Sequence, residues 1–408
     1  MRKVRNLPLL LLVLLFGCTG VFRSQKEPVD TEPEVNADAG VDLTDSIQHC
    51  ADSVFRLLSP EQKAAQCLFP AVYAQSDPYT LGKIKEYAEM GVGGLILLKG
   101  DPHSVAVIAD SLKQWSTVPP IIALDAEWGL AMRLSDTPRF PDNGHIGTSA
   151  TEDLMFEYGA EIARECQLIG VNMILGPVLD IAGKGSYIGN RSFGLDKDRV
   201  AQLGVAYARG LESGNVISVA KHFPGHGAVT SDTHRRKGII ERSLQSLDSI
   251  DLHPFREYIS HDLSAIMVGH IAFPAIDPEA LPAAVSSPVI TDLLRRDLGF
   301  RGLIITDAMN MQGAEGMSAA DAIEAGADII LAPKSTSAEI NGILSRFYPD
   351  SLSRAADSTL DNHVKRILFK KFLINDPAKN NLSADTNLII NLNTPEAMRI
   401  SQSLPVSQ

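Results

Sequence analysis

Residues 221–234 read Lys-His-Phe-Pro-Gly-His-Gly-Ala-Val-Thr-Ser-Asp-Thr-His, which places Lys221, His222, His226, Asp232 and His234 within fourteen residues. Imidazole titrates near neutral pH, and a neighbouring carboxylate can fix its tautomer and stabilise its cation. Such a pair can give a proton to a leaving oxygen and take one back. Asp232 and His234 stand two apart, so their side chains meet if the backbone turns between them. The β-branched run Val216-Ile217-Ser218-Val219 leads into the segment, with Pro224, Gly225 and Gly227 beyond it. That is how a strand reads when it ends in a loop carrying chemistry. The plainer alternative is a polar surface loop with scattered histidines; the concentration of function on such loops weighs against it.

Other charged residues close apolar runs. Asp125 follows Ile121-Ile122-Ala123-Leu124, Asp180 follows Pro177-Val178-Leu179, His270 follows Ile266-Met267-Val268-Gly269, and Asp307 follows Leu303-Ile304-Ile305-Thr306. A carboxylate at a rigid strand end can attack an electrophilic carbon, although an Asp after a strand also serves as a helix N-cap. The elements that must hold these residues are strands over 67–73, 94–98, 121–125, 172–179, 216–222, 265–270, 303–307 and 328–331. Helical periodicity lies between most of them, as at 153–169 and 200–213, and Gly91, Gly170 and Gly299 read as helix stops. Alternating units of this kind predict an α/β fold, a TIM-like (β/α)8 barrel forming a single catalytic domain. The barrel is preferred to an open doubly wound sheet because Asp125, Asp180, His222, His270 and Asp307 end several different strands. Barrels carry their sites at that face, whereas an open sheet gathers them at one switch point.

The run Lys221-His222-Phe223-Pro224-Gly225-His226-Gly227, followed by Asp232-x-His234, resembles glycoside hydrolase family three, in its bacterial β-N-acetylglucosaminidase branch. The resemblance extends over 45–375. It implies a retaining enzyme with Asp307, in Thr306-Asp307-Ala308-x-x-Met311, as nucleophile. It also implies a His234/Asp232 dyad as acid/base in place of the usual second carboxylic acid about 5 Å away. A histidine there avoids two mutually repelling carboxylates. For sugar binding the resemblance implies Asp125 and Arg133, in Asp125-Ala126-Glu127-Trp128-Gly129-Leu130-Ala131-Met132-Arg133, with Trp128 replacing a glycine of the family pattern. It further implies Arg191, in Ile188-Gly189-Asn190-Arg191-Ser192-Phe193, and Lys221 and His222. Each arginine has an alternative as a salt bridge at the barrel mouth. His226 and His270 are read as shaping and supporting the site.

The expected activity is exo-acting removal of terminal N-acetylglucosamine from peptidoglycan fragments or related glycans. Two alternatives stand beside it: a metal-dependent barrel hydrolase using His222, His226, Asp232 and His234, and a non-catalytic glycan-binding lipoprotein. No cofactor is expected, since nucleotide-binding glycine motifs are absent from the strand–helix junctions, and no metal, since Pro224, Gly225 and Gly227 stand between the candidate ligands. A net charge of −12 without a basic, aromatic-rich patch argues against nucleic acid.

At the N-terminus, Arg2, Lys3 and Arg5 precede an apolar run over 7–16, shorter than the ~20 residues that span a bilayer. Leu15-Phe16-Gly17-Cys18 resembles a lipobox, so 1–18 is expected to be a lipoprotein signal with Cys18 acylated, and 19–44 a flexible acidic tether. That implies an envelope enzyme held to the membrane by lipid, with the outer membrane of a Gram-negative bacterium favoured. Cys50, Cys67 and Cys166 read as small apolar residues, with a Cys50–Cys67 bridge as the alternative. Residues 376–408 are expected to be a linker and the remnant of a second domain.

Overall fold

The computed structural model describes residues 43–183, 185–229, 238–349, 359–374 and 387–405. Nine short strands lie among the described residues: β1 (Leu68–Phe69), β2 (Ala71–Ala74), β3 (Gly94–Gly100), β4 (Ile121–Leu124), β5 (Met173–Ile174), β6 (Ile217–Phe223), β7 (Ala265–Val268), β8 (Leu303–Thr306) and β9 (Ile330–Leu331). β2 to β8 form one parallel sheet in chain order, and β1 pairs with β9 in parallel. The sheet is curled. On one side Ile330 N donates to Cys67 O at 2.8 Å; on the other Thr306 N donates to Ile329 O at 2.9 Å.

Parallel strands are covered on both faces, so they read as unbroken apolar runs rather than alternating ones. β4, β6, β7 and β8 are buried at every position. Lys221 and His222 belong to this fully buried β6, so the chain carries its polar groups into the interior at the strand's C-terminal end.

The helices start and stop where the sequence provides partners for their free backbone groups. Asp77, Thr151 and Asp196 cap the helices Pro78–Met90, Glu152–Ile169 and Lys197–Ser213 by accepting from backbone amides of the first turn. Gly91 and Gly170 end two of them at positive φ. Glu152–Ile169 and Lys197–Ser213 lie backbone to backbone. A Cβ on Gly159 would collide with the Tyr207 carbonyl, and one on Gly210 with the Phe156 carbonyl.

Three expectations need adjustment. The stretch 172–179 is strand only at Met173–Ile174, because Pro177 has no amide to donate; a single bridge joins Val178 to Lys221. Pro70 likewise divides 67–73 into β1 and β2. The C-terminal segment 376–408, expected to be a linker and the remnant of a second domain, contains a helix, Leu388–Leu392, followed by Pro395–Ser403. Both lie against Glu152–Ile169: Arg164 donates to Asn391 O at 2.8 Å and Leu392 O at 3.2 Å, while Leu388, Leu392, Ala397 and Ile400 are buried. Cys67 and Cys166 are free and buried, as apolar residues are, so the Cys50–Cys67 bridge is not formed; Cys50 is disulfide-bonded, contrary to its reading as a plain apolar residue. No helix among the described residues is long and apolar enough to cross a membrane.

Candidate active site

The C-terminal ends of β4, β6 and β8 bring the expected residues together. Asp125 follows β4 directly. Its Oδ1 accepts from Lys221 Nζ at 2.8 Å, its Oδ2 from Arg133 Nη2, and its carbonyl from Arg133 Nε at 3.0 Å. Lys221 Nζ also lies 2.7 Å from Glu127 Oε1. Glu127 in turn binds Arg191 with both oxygens, at 3.0 Å from Nε and 2.7 Å from Nη2. Arg191 Nη2 lies 3.4 Å from His222 Nε2. The ring's other nitrogen, Nδ1, lies 2.7 Å from Asp180 Oδ2. Asp180 also accepts from the amides of His222, at 3.2 Å, and His226, at 2.6 Å.

The result is one continuous chain of ion-paired and hydrogen-bonded groups: Arg133, Asp125, Lys221, Glu127, Arg191, His222, Asp180. Burial alone would push its carboxylates toward the neutral form and its lysine toward the free amine, but the opposite charges alongside reverse this. Lys221 and Arg133 hold Asp125 well below the ordinary carboxylate range, and Lys221 and Arg191 hold Glu127 below its ordinary value. The Lys221 ammonium is held above its ordinary value by Asp125 and Glu127. Asp180 is held low by His222 and His226.

Exposure divides the chain by task. The side chains of Glu127 and Lys221 are 0% and 3% exposed, whereas Arg133, Asp125 and Arg191 retain 27%, 22% and 28%. The last three can reach a ligand; Glu127 can only hold Arg191 and Lys221 in place. Both arginines therefore do form the salt bridges left open by the sequence, while keeping an edge toward solvent.

Asp307 closes β8. Its amide donates to Val268 O at 2.9 Å, and its Oδ1 accepts from the Ala308 amide at 2.7 Å. Burial opposes ionisation here too, and the charges of His222 and His270, the Ala308 amide and Lys221 outweigh it, so the carboxyl sits below its ordinary value. It is a carboxylate at neutral pH. His270 Nε2 lies 3.2 Å from Ala308 O, in the loop that carries Asp307. The His226 ring stands 5.4 Å from that of His222 and 6.0 Å from that of Tyr187, between centroids. Burial, then the charge of His222, lower its pKa to about 4, so it is neutral at physiological pH.

Asp232, His234 and Cys18 lie outside the described residues. The chain on either side of the dyad segment is fixed: Val229 O accepts from Tyr187 N at 2.9 Å, and Gly238 O accepts from Ala272 N at 2.9 Å. Among the described residues no group of three or more His, Cys, Asp and Glu is arranged to hold a metal ion.

Two residues of the charge chain had no role assigned from the sequence. Glu127 was part of a recognised pattern, and its spacing of two from Asp125 was the available signal. Asp180 was visible as a charge ending the apolar run Pro177-Val178-Leu179, but nothing local indicated that it would reach the backbone of β6.

Residues 74–369 match the model of the glycosyl hydrolase family 3 N-terminal domain. The chain belongs to glycosyl hydrolase family 3. It is thus an enzyme of the glycoside hydrolase class. A beta-hexosaminidase of Nitrosomonas eutropha is 36% identical over 256 residues, covering 59% of this chain and 73% of that protein. Among solved structures, a family 3 beta-N-acetylglucosaminidase from Paenibacillus superposes with a TM-score of 0.75 at 30% identity, over 85% of this chain and 68% of that one. NagZ from Neisseria gonorrhoeae, solved with N-trifluoroacetyl-D-glucosamine, gives a TM-score of 0.65 at 26% identity, over 83% and 96%.

Proposed function

We propose that this chain is an exo-acting, retaining β-N-acetylglucosaminidase that removes terminal N-acetylglucosamine from peptidoglycan fragments or related glycans. The observation that carries this reading is the charge chain from Arg133 to Asp180, with its exposed edges beside an ionised Asp307. Such a set suits a polyhydroxylated ring, because a missing hydroxyl would leave a buried charge with one partner fewer. The similarity to a beta-hexosaminidase and to a structure holding an N-acylglucosamine points to the sugar. The fold underlying the site is proposed to be a closed (β/α)8 barrel over 45–375. Its support is the set of bonds that joins β9 to β1 on one side and residue 329 to β8 on the other.

In the proposed reaction the Asp307 carboxylate attacks the anomeric carbon while the glycosidic C–O bond breaks and His234 gives its proton to the leaving oxygen. Asp232 orients His234 and stabilises the imidazolium before transfer. Water then attacks the glycosyl ester, His234 takes the water's proton, and Asp307 leaves as the free carboxylate. Arg133, Arg191 and Asp125 bind hydroxyls, and His222 presents Nε2 to the same space. Residues 1–18 are proposed to direct acylation of Cys18, which would anchor the enzyme at the cell envelope through the tether 19–44. Residues 376–408 are proposed to be a linker and the remnant of a second domain.

Paired aryl β-N-acetylglucosaminide and β-glucoside substrates, each with and without phosphate, test the proposal. Preferential turnover of the N-acetylated substrate, independent of phosphate, is expected. Preference for the glucoside, or a strict need for phosphate, would overturn it.

A further inference from the structure

At the opposite ends of the strands from Asp307 lies a cavity of about 460 Å³. That is within the ~300–1,000 Å³ of small-molecule sites. Its walls are the turn Gly299–Leu303 entering β8, the residues Asp262 and Leu263 before β7, and one face of the helix Thr359–Ile374, with Gln48 at its edge. Among the described residues four cations line it, Arg301, Lys365, Arg366 and Lys370, with one carboxylate, Asp262. This is a concentration of positive charge on a chain whose net charge is −12.

The four cations are not equally engaged. Arg366 donates to Asp328 at 2.8 Å and is held there. Lys370 Nζ donates to Ser264 Oγ at 3.1 Å, and the charge of Glu212 acts on it without an ion pair between them. Glu212 itself already accepts from the Ser218 hydroxyl at 2.6 Å and the Ser264 amide at 2.8 Å. Lys365 lies over the Phe55 ring at 4.8 Å. Arg301 is exposed and has no side-chain hydrogen bond or ion pair among the described residues. Burial lowers the pKa of Lys370 despite Glu212. An anion delivered to this ammonium would therefore meet a poorly compensated charge.

We propose that this cavity binds a small phosphate-bearing molecule. Its donors approach from separate elements: Arg301 from the loop before β8, and Lys365 and Lys370 from the helix Thr359–Ile374. Donors in several directions suit a tetrahedral oxyanion, whose three free oxygens each accept charge-assisted hydrogen bonds. Phe300 and Phe369 supply an apolar wall for the part that carries the phosphate. The inference does not rest on the catalytic reading.

The test uses the full chain and two probes, inorganic phosphate and glucose 6-phosphate, at constant ionic strength. Thermal midpoint and calorimetric titration are read for the wild type, for Arg301→Glu/Lys365→Ala, and for Arg133→Gln, which removes a cation of the candidate active site. A saturable response is expected in the wild type and in Arg133→Gln, and at least tenfold weaker binding in the double variant. Turnover of an aryl β-N-acetylglucosaminide by the double variant should equal that of the wild type. A response matched by chloride, absent in the wild type, or retained in the double variant would overturn the proposal. Loss of the response in Arg133→Gln would place the phosphate at the catalytic site instead and would equally overturn it.

Discussion

Asp180→Asn should damage the site without filling or emptying any space. Asp180 accepts from three donors: the His222 amide, His222 Nδ1 and the His226 amide. An asparagine oxygen can keep the two backbone amides, but its NH₂ then faces His222 Nδ1. Two donors cannot bond, so the ring must either turn away or move its proton to Nε2. A proton on Nε2 would point at Arg191 Nη2, 3.4 Å away, and create a second donor–donor contact. The loss is at least one hydrogen bond to a charged acceptor, worth about 1.5–3 kcal/mol. At ~1.4 kcal/mol per factor of ten, kcat/KM should fall by roughly 10- to 100-fold. The assay is kcat/KM on an aryl β-N-acetylglucosaminide, with chemical denaturation to confirm that the variant is folded. A folded Asp180→Asn enzyme within threefold of the wild type would refute the idea that this carboxylate sets the orientation of His222.

Three further outcomes are expected. Glu127→Gln removes the charge that holds Arg191 and Lys221, so KM should rise by about tenfold or more and stability should fall by about 3 kcal/mol, the scale of breaking a buried pair; initial rates and denaturant midpoints measure both. His234→Ala should lose more activity on a disaccharide than on a nitrophenyl glycoside, because general acid help contributes typically 10²–10⁴-fold and an activated phenol needs less of it. Equal losses on the two substrates would assign His234 to binding. Lys371 is buried, donates to Gln66 Oε1 at 2.7 Å, and has its pKa lowered by burial to about 7. Between pH 7 and about 10.5 the unfolded chain binds the extra proton, so this group's contribution to stability rises with pH, by ~1.4 kcal/mol for each unit of pKa difference. Denaturation from pH 7 to 10 should show that rise in the wild type, and a smaller one in Lys371→Met.

What the sequence disclosed follows from the range of the forces involved. Strands buried on both faces announce themselves as apolar runs, so the places of β3, β4, β6, β7 and β8 were legible to within a residue or two at each end, β3 running on by two. The polar residues ending those runs were legible as a site for the same reason: a charge closing an apolar segment needs a partner. The partners themselves were not legible. Glu127 reaches Arg191 across 64 positions and Asp180 reaches His222 across 42, and spacing carries no trace of contacts at that separation. The shortness of β5 was hidden because Val178 and Leu179 look like strand, while Pro177 between them and Met173–Ile174 ends the ladder. The helix Leu388–Leu392 was missed because its few apolar residues are stabilised by tertiary contact with Glu152–Ile169 rather than by a periodic pattern of its own.

The central claim is that Asp307 forms the covalent bond to the sugar. A fluorinated N-acetylglucosaminyl donor that forms the glycosyl-enzyme quickly and releases it slowly tests this directly, with peptide mass spectrometry of the trapped protein. The account predicts one added sugar, located on the peptide containing Asp307 and absent from Asp307→Ala, whose fold should be unchanged. A label on any other residue, or turnover near the wild-type rate by Asp307→Ala, would contradict it.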